Sequence, residues 1–446
     1  MLSTLCDIAV PIFYITNDIT KGLGLEKLLP NYYLVCIDDH PIIDLLSKTG
    51  VNVFCLERKI GKKNVVYRNS GKLLAHCLVA EYIKDKACGQ TPWILYFKPS
   101  AKIDLICEKR GYKKIGNNAE LNRIFEDKLS FYQLCQKLGL PIPPGEIANL
   151  SKINFGELEQ QYDRPLVIQF GRGWAGSTTY FIDSKENLDE FKKIMRRRSV
   201  KITKYVEGKT ILNNCCVTED EVLVSPPAEQ ITAVSGFTAQ KGGTCGRVWP
   251  VKIDDKRYKD IKILSKKIGE EMRRRGYLGY FGLDFLIEEK TGKIYLSECN
   301  ARLTASVPFY SKLEIKEERM PLVGYHVLTF LGQSYQATKL PSYQAEGSEI
   351  VVRNNKDKPI LIKKDFKPGI YRLKRGKLVF IRQAYDIEGI KKEGDFFLTA
   401  AAKGRIVSSE MEVIRLNSLK NLLDEDGKPE KWVVEMLLKV KERIIN

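Results

Sequence analysis

The sequence predicts a mixed α/β and α+β protein: a small parallel α/β domain, a central α+β region and a small β-rich C-terminal module. Three observations predict it. Strand-like apolar runs alternate with helical patterns over residues 1–116. A strong amphipathic helix followed by two apolar strands occupies 258–299. From about residue 347 onward the chain breaks into short strands with charged turns and then ends on an amphipathic helix.

In the first region, 11–16 (PIFYIT), 32–37 (YYLVCI), 51–56 and 93–97 read as strands, with a helix over 73–83. Their β-α-β order predicts a parallel sheet covered by helices. Thr20-Lys21-Gly22-Leu23-Gly24 lacks the G-x-G-x-x-G spacing, so a dinucleotide site has little support there.

A helix starts near Asp127, with Phe131, Leu134, Cys135 and Leu138 on one face. Gly139 ends it, and Pro141, Pro143 and Pro144 prevent its continuation. A strand at 166–170, a Gly-rich loop at 171–179 and a returning strand at 180–182 read as a hairpin. A helix over 185–195 and strands at 200–206, 210–217 and 222–225 follow. Residues 226–250 are rich in Pro, Gly, Thr and Ser and are expected as a long loop, with Gln230, Lys241 and Arg247 suited to a mobile cover. The helix over 258–275 carries Ile261, Leu264, Ile268 and Met272 on one face, and strands at 280–287 and 294–299 flank the turn Lys290-Thr291-Gly292-Lys293. The terminal helix carries Val433, Met436, Leu437, Val440 and Ile444.

Composition narrows the function classes. Lys and Arg number 73 against 55 Asp and Glu, a formal net charge of +18 that invites a nucleic-acid reading. The densest basic runs, 196–198 and 273–275, are not interleaved with aromatics as a stacking platform would be. Nucleic acid is therefore not the expected partner, and anionic small molecules are. The 11 Cys form no C-x-x-C pair and read as buried, reduced thiols. The 3 His are too scattered for a His-based metal site. No basic signal-peptide start and no membrane-length apolar run is visible, so a cytoplasmic protein without a membrane partner is expected.

The chemistry concentrates in 279–308. Glu298 and Asn300, two apart on a strand, share a face, and hairpin pairing can bring Asp284 beside them. Two carboxylates and an amide oxygen suit Mg²⁺ held partly by substrate phosphates. Arg302 has the same parity and suits a transferring phosphoryl group. The competing reading is the polar solvent face of an amphipathic hairpin. An acid flanked by Leu283, Phe285 and Leu286 argues against it, because such an acid needs a partner.

Asp284, then Glu298-Cys299-Asn300-Ala301-Arg302, resembles the acid…E-x-N-x-R signature of the ATP-grasp superfamily, with the motif order of biotin-carboxylase-like, carboxylate–amine ligase members. Upstream, 126–130 (EDKLS) and 138–141 (LGLP) resemble the helix that offers a Lys to the nucleotide. Residues 165–169 with the Gly-rich hairpin resemble the strand and loop over the phosphates, and 204–208 (KYVEG) the hinge at the adenine.

The resemblance, in pattern over roughly 1–330, implies three units. These are a pre-ATP-grasp-like α/β domain at 1–116, an ATP-grasp fold of two α+β subdomains at 117–334 with a lid at about 140–206, and the β-rich module with its terminal helix at 335–446. It implies ATP at Lys128, Gln169, Arg172, Gly173, Gly176, Ser177, Lys204, Tyr205, Val206 and Thr210, and Mg²⁺ or Mn²⁺ at Asp284, Glu298 and Asn300, with Arg302 catalytic. The sequence departs from the pattern at Gln169, where the family usually carries Lys, with Arg172 a candidate for the missing cation. It departs again at Thr203, Lys204 and Thr210, where acids are common.

The implied reaction is amide or peptide formation from a small carboxylate and an amine, amino acid or peptide, through an acyl phosphate. The alternatives are another acceptor, such as biotin-type carboxylation, or a non-catalytic ATP-binding module. A homodimer is one arrangement the resemblance allows.

Overall fold

The computed structural model describes residues 2–65, 69–162, 164–171, 179–195, 198–335 and 345–446. The first unit is a five-stranded parallel sheet in the order Asn52–Cys55, Tyr32–Cys36, Ile12–Thr16, Trp93–Tyr96, Lys113–Ile115. Its central strand Ile12–Thr16 is buried along its whole length, as expected for a parallel strand covered on both faces. The order reverses between Ile12–Thr16 and Trp93–Tyr96, and Asp18 and Asp38 follow the carboxyl ends of Ile12–Thr16 and its other neighbour Tyr32–Cys36. Such a reversal opens a crevice at the strand ends, where α/β sheets bind ligands. One expectation is corrected: the single helix over 73–83 is two helices, Ser70–Ala75 and Cys77–Ala87. His76 between them is extended, and its Nδ1 accepts from the Leu78 N–H at 3.3 Å, capping the second helix.

The second unit is a four-stranded antiparallel sheet, ordered Gly145–Asn149, Ser199–Lys204, Leu166–Phe170, Thr179–Ile182. Helices Phe155–Tyr162 and Lys185–Ile194 cover it and share its separate apolar core.

The third unit is a large antiparallel sheet. Its described strands run Ile294–Asn300, Gly279–Glu288, Gly208–Val217, Ala228–Thr232, Thr244–Trp249, Gly347–Arg353, Glu412–Ser418, Asp395–Ala400, Gly369–Lys374, Lys377–Gln383. The helix Asp255–Arg274 buries Ile261, Ile268 and Met272 against its first strands. The terminal helix Lys431–Ile445 buries Val433, Met436, Leu437, Val440 and Ile444 against its later ones. Five of the strands from 347 onward thus continue the sheet that carries Asp284 and Glu298, while Ile360–Leu361 and Ile406–Val407 pair separately.

The expected long loop at 226–250 is also corrected, since it holds the strands Ala228–Thr232 and Thr244–Trp249. All 11 Cys are free thiols, with Cys6, Cys77 and Cys88 exposed rather than buried. Among the described residues, no helix is long and apolar enough to cross a membrane.

Candidate active site

Strands Gly279–Glu288 and Ile294–Asn300 pair antiparallel, with Asp284 directly opposite Glu298 and Gly282 opposite Asn300. Leu283 and Phe285 point to the core on the other face, which turns Asp284 toward the cleft. Gln230 Nε2 donates to Asp284 Oδ1 at 2.6 Å, and Asn300 Nδ2 donates to Asp284 Oδ2 at 3.1 Å. Burial and the Glu298 charge push the Asp284 carboxyl up to about 6, although Arg247 pulls the other way. Burial alone would raise Glu298 too. Lys128, with Nζ 2.6 Å from Glu298 Oε2, outweighs it and holds that carboxyl below its ordinary range.

Lys128 opens the helix Lys128–Lys137, whose N-terminus is capped by Asp127 Oδ1 accepting from Leu129 and Ser130 N–H groups. The Lys128 N–H donates to Gly171 O at 2.8 Å, which fixes the start of the Gly-rich loop against this cap. A Cβ on Gly171 would lie 2.4 Å from Asp127 Oδ2, so only glycine fits without disturbing the cap. Arg172, Gly173, Gly176 and Ser177 lie outside the described residues.

Gln169 Nε2 donates to Thr179 Oγ1 at 3.0 Å and to Glu298 Oε1 at 3.2 Å, joining the four-stranded sheet to the acids. Lys204, Tyr205, Val206 and Thr210 line the same cleft, about 940 Å³ in volume. Lys204 Nζ stands 3.5 Å from Glu288 Oε1, and the Tyr205 ring meets Phe181 edge-on at 5.7 Å. Arg302 is already engaged: Nε donates to Glu126 Oε1 at 2.9 Å, Nη2 to Asn300 Oδ1 at 2.8 Å and Nη1 to Leu303 O at 3.0 Å. Its guanidinium also sits 5.0 Å over the Phe97 ring. Here it orients Asn300 from the cleft wall.

Among the described residues, no group of three or more His, Cys, Asp or Glu is placed to hold a metal ion. Asp284, Glu298 and the Asn300 amide are a set of oxygen-bearing groups instead. Like charge and burial already disfavour two bare carboxylates there. A hard divalent cation relieves that repulsion, with substrate oxygens completing its shell.

Residues 125–306, which include Lys128, Gln169, Asp284, Glu298 and Asn300, match the ATP-grasp domain family. This stretch is an ATP-grasp domain. The chain is 23% identical over 230 residues to the carbamoyl phosphate synthase large chain of Thermus thermophilus, covering 50% of this chain and 21% of that protein. It is 23% identical over 255 residues to the C-terminal section of the Aquifex aeolicus large chain, covering 55% and 46%. The chain therefore spans between a fifth and a half of these curated relatives. Among solved structures, a biotin carboxylase complex from Campylobacter jejuni superposes with a TM-score of 0.63 at 14% identity, covering 97% of this chain and 91% of that one. N5-carboxyaminoimidazole ribonucleotide synthetase from Thermotoga maritima gives 0.54 at 13%, covering 98% of each chain.

Beyond the ATP-grasp acids, the cleft holds residues that the motifs did not name. A polar stripe crosses the large sheet. Gln230 bridges from Asp284, Arg247 stands opposite Gln230, and Arg247 Nη1 meets Glu349 Oε2 at 2.7 Å. Arg415 Nη1 then donates to Glu349 Oε1 at 2.7 Å, and its Nη2 to Glu412 Oε2 at 2.6 Å. Gln230 and Arg247, expected on a mobile cover, are rungs of this stripe. Arg353 lines the same wall and donates to the carbonyls of Thr244 at 2.9 Å and Glu410 at 3.1 Å, with no described carboxylate within 4.0 Å. Lys201 joins the cleft from the four-stranded sheet. Its only sequence signal is its place between Val200 and Ile202, which sets it on the opposite face of the strand from those apolar neighbours.

Proposed function

We propose that this chain is an ATP-dependent ligase that joins a small carboxylate to an amine. One observation carries the reading: Asp284, Glu298 and Asn300 line one cleft inside the ATP-grasp domain, and Lys128, up to 172 positions away in sequence, pairs with Glu298 there. Phosphoryl transfer demands positioning and charge neutralisation more than covalent help from the protein, and this constellation provides both.

In the reaction, a substrate carboxylate oxygen attacks the γ-phosphorus of ATP and ADP leaves, giving an acyl phosphate. The amine nitrogen then attacks the acyl carbon, inorganic phosphate leaves, the nitrogen gives up a proton, and an amide remains. Asp284, Glu298 and Asn300 would hold Mg²⁺ or Mn²⁺, which neutralises phosphate charge. Lys204, Tyr205, Val206 and Thr210 form the nucleoside end. Arg353, whose hydrogen bonds go to backbone carbonyls and not to a carboxylate, is available to the substrate carboxylate. Amino acids or peptides are the expected substrates.

A second reading, carboxylation of biotin type, draws on the same Arg353, because bicarbonate is an oxyanion of carboxylate size. ADP release with Mg²⁺ is to be measured over paired carboxylates and amines, and separately with bicarbonate alone. Pair-dependent release supports the ligase, and bicarbonate-dependent release without an amine supports the carboxylase. In either case Glu298→Ala should abolish ADP release while leaving the circular dichroism spectrum unchanged. Undiminished release by that variant overturns the assignment.

A further inference from the structure

Lys201 lies on the lid strand Ser199–Lys204 and is 2% exposed. Its ammonium has one long polar contact, 3.5 Å to the Ser297 carbonyl, and stands 5.8 Å from the centre of the Tyr132 ring. No described carboxylate lies within 4.0 Å, so at most one of its three donors is used. Removing an ammonium from water without a counter-charge costs several kcal/mol. A chain that keeps such a group at the wall of a cleft has placed it toward an anion that arrives with a ligand. Burial lowers its pKa to about 8, with Lys128 acting the same way and Glu298 opposing.

The register says where that anion lies. Lys201 is the cross-strand partner of Gln169, so the two side chains leave the same face of the lid sheet side by side. Gln169 is occupied with Thr179 and Glu298, and Lys128 is occupied with Glu298. Lys201 alone of the three faces the acids without an ionic partner among the described residues.

We propose that Lys201 is the lid-sheet cation for the nucleotide phosphates, moved one strand over from the position that Gln169 holds. The division of labour is specific: Gln169 ties the lid strand to Glu298 without charge, and Lys201 supplies the charge. This rests on the nucleotide reading above.

The test is calorimetric titration of Mg·ADP and of adenosine into the full-length protein and its variants. Wild type should bind Mg·ADP. Lys201→Met, which keeps the volume and removes a buried charge, should retain or raise the thermal midpoint. It should weaken Mg·ADP at least tenfold and leave adenosine affinity within twofold. Lys201→Arg should stay within threefold of wild type. Unchanged Mg·ADP affinity in a folded Lys201→Met protein overturns the assignment and leaves the nucleotide site standing. Equal weakening of ADP and adenosine overturns it in favour of a packing role. Failure of wild type to bind Mg·ADP overturns the nucleotide reading itself. Should Met at 201 prevent folding, Lys201→Gln decides: Mg·ADP weakened at least tenfold with adenosine affinity within twofold supports the proposal, and unchanged Mg·ADP affinity overturns it.

Discussion

Glu126 sits between Arg302 and Lys98, each with a nitrogen 2.9 Å from its Oε1. Burial alone would push its carboxyl up, but the two cations outweigh burial and hold it down at about 2. A depressed carboxyl contributes stability above its unfolded pKa and loses it as pH falls through the folded value. For Glu126 the loss runs from about pH 5 to pH 2 and amounts to about 3 kcal/mol. Glu126→Gln should therefore lower stability at neutral pH and flatten the acid limb of a urea-denaturation series across that window. An unchanged acid limb would mean that Glu126 titrates alike in the folded and unfolded chain. The pairing with Arg302 spans 176 positions and leaves no local trace in the sequence. Asp284, Glu298 and Asn300, by contrast, were legible, because a strand's period of two assigns them to one face. Lys201 was not, because a strand lysine looks the same whether it meets solvent or a cleft.

At the level of elements, 226–250 shows where pattern reading fails. Its Gly, Pro and Thr content suggests a loop, yet two strands form because each finds a neighbour: Ala228–Thr232 pairs with Gly208–Val217, and Thr244–Trp249 with Gly347–Arg353. Non-local pairing overrides local composition there. Gly246 makes the second pairing possible. Its φ is 145°, and a Cβ would lie 2.0 Å from Glu349 O on the next strand. Gly246→Ala should thus cost about 3 kcal/mol or more, read as a lower denaturation midpoint or loss of soluble protein. It should also disturb the Arg247–Glu349 pair one residue away. The helices at 128–137 and 255–274 were legible to within a few residues, because their apolar periodicity and caps are local signals.

The whole molecule is tied together by ions as well as by its cores. Arg405, in the segment after Asp395–Ala400, reaches across to the parallel sheet. Its Nη1 meets Asp38 Oδ1 at 3.1 Å and Glu57 Oε1 at 2.9 Å, and its Nη2 donates to Asp39 O at 3.2 Å. Glu57 is 2% exposed. Arg405→Ala leaves those acids buried without their cation and should cost about 3–5 kcal/mol, measured as the loss in unfolding free energy in urea. An effect below about 1 kcal/mol would mean that water already reaches the pair. The parallel first sheet and the lid hairpin were foreseeable from strand order. This tie was not, because it joins residues more than 340 positions apart.

The polar stripe from Asp284 to Glu412 gives the molecule a way to change its chemistry without changing its shape. Its rungs run acid, amide, base, acid, base, acid over five strands of the large sheet, the last two, Arg415 and Glu412, on one strand. Exchanging rungs in complementary pairs alters the charge the cleft presents while each buried acid keeps a cation, as Glu349 does between Arg247 and Arg415.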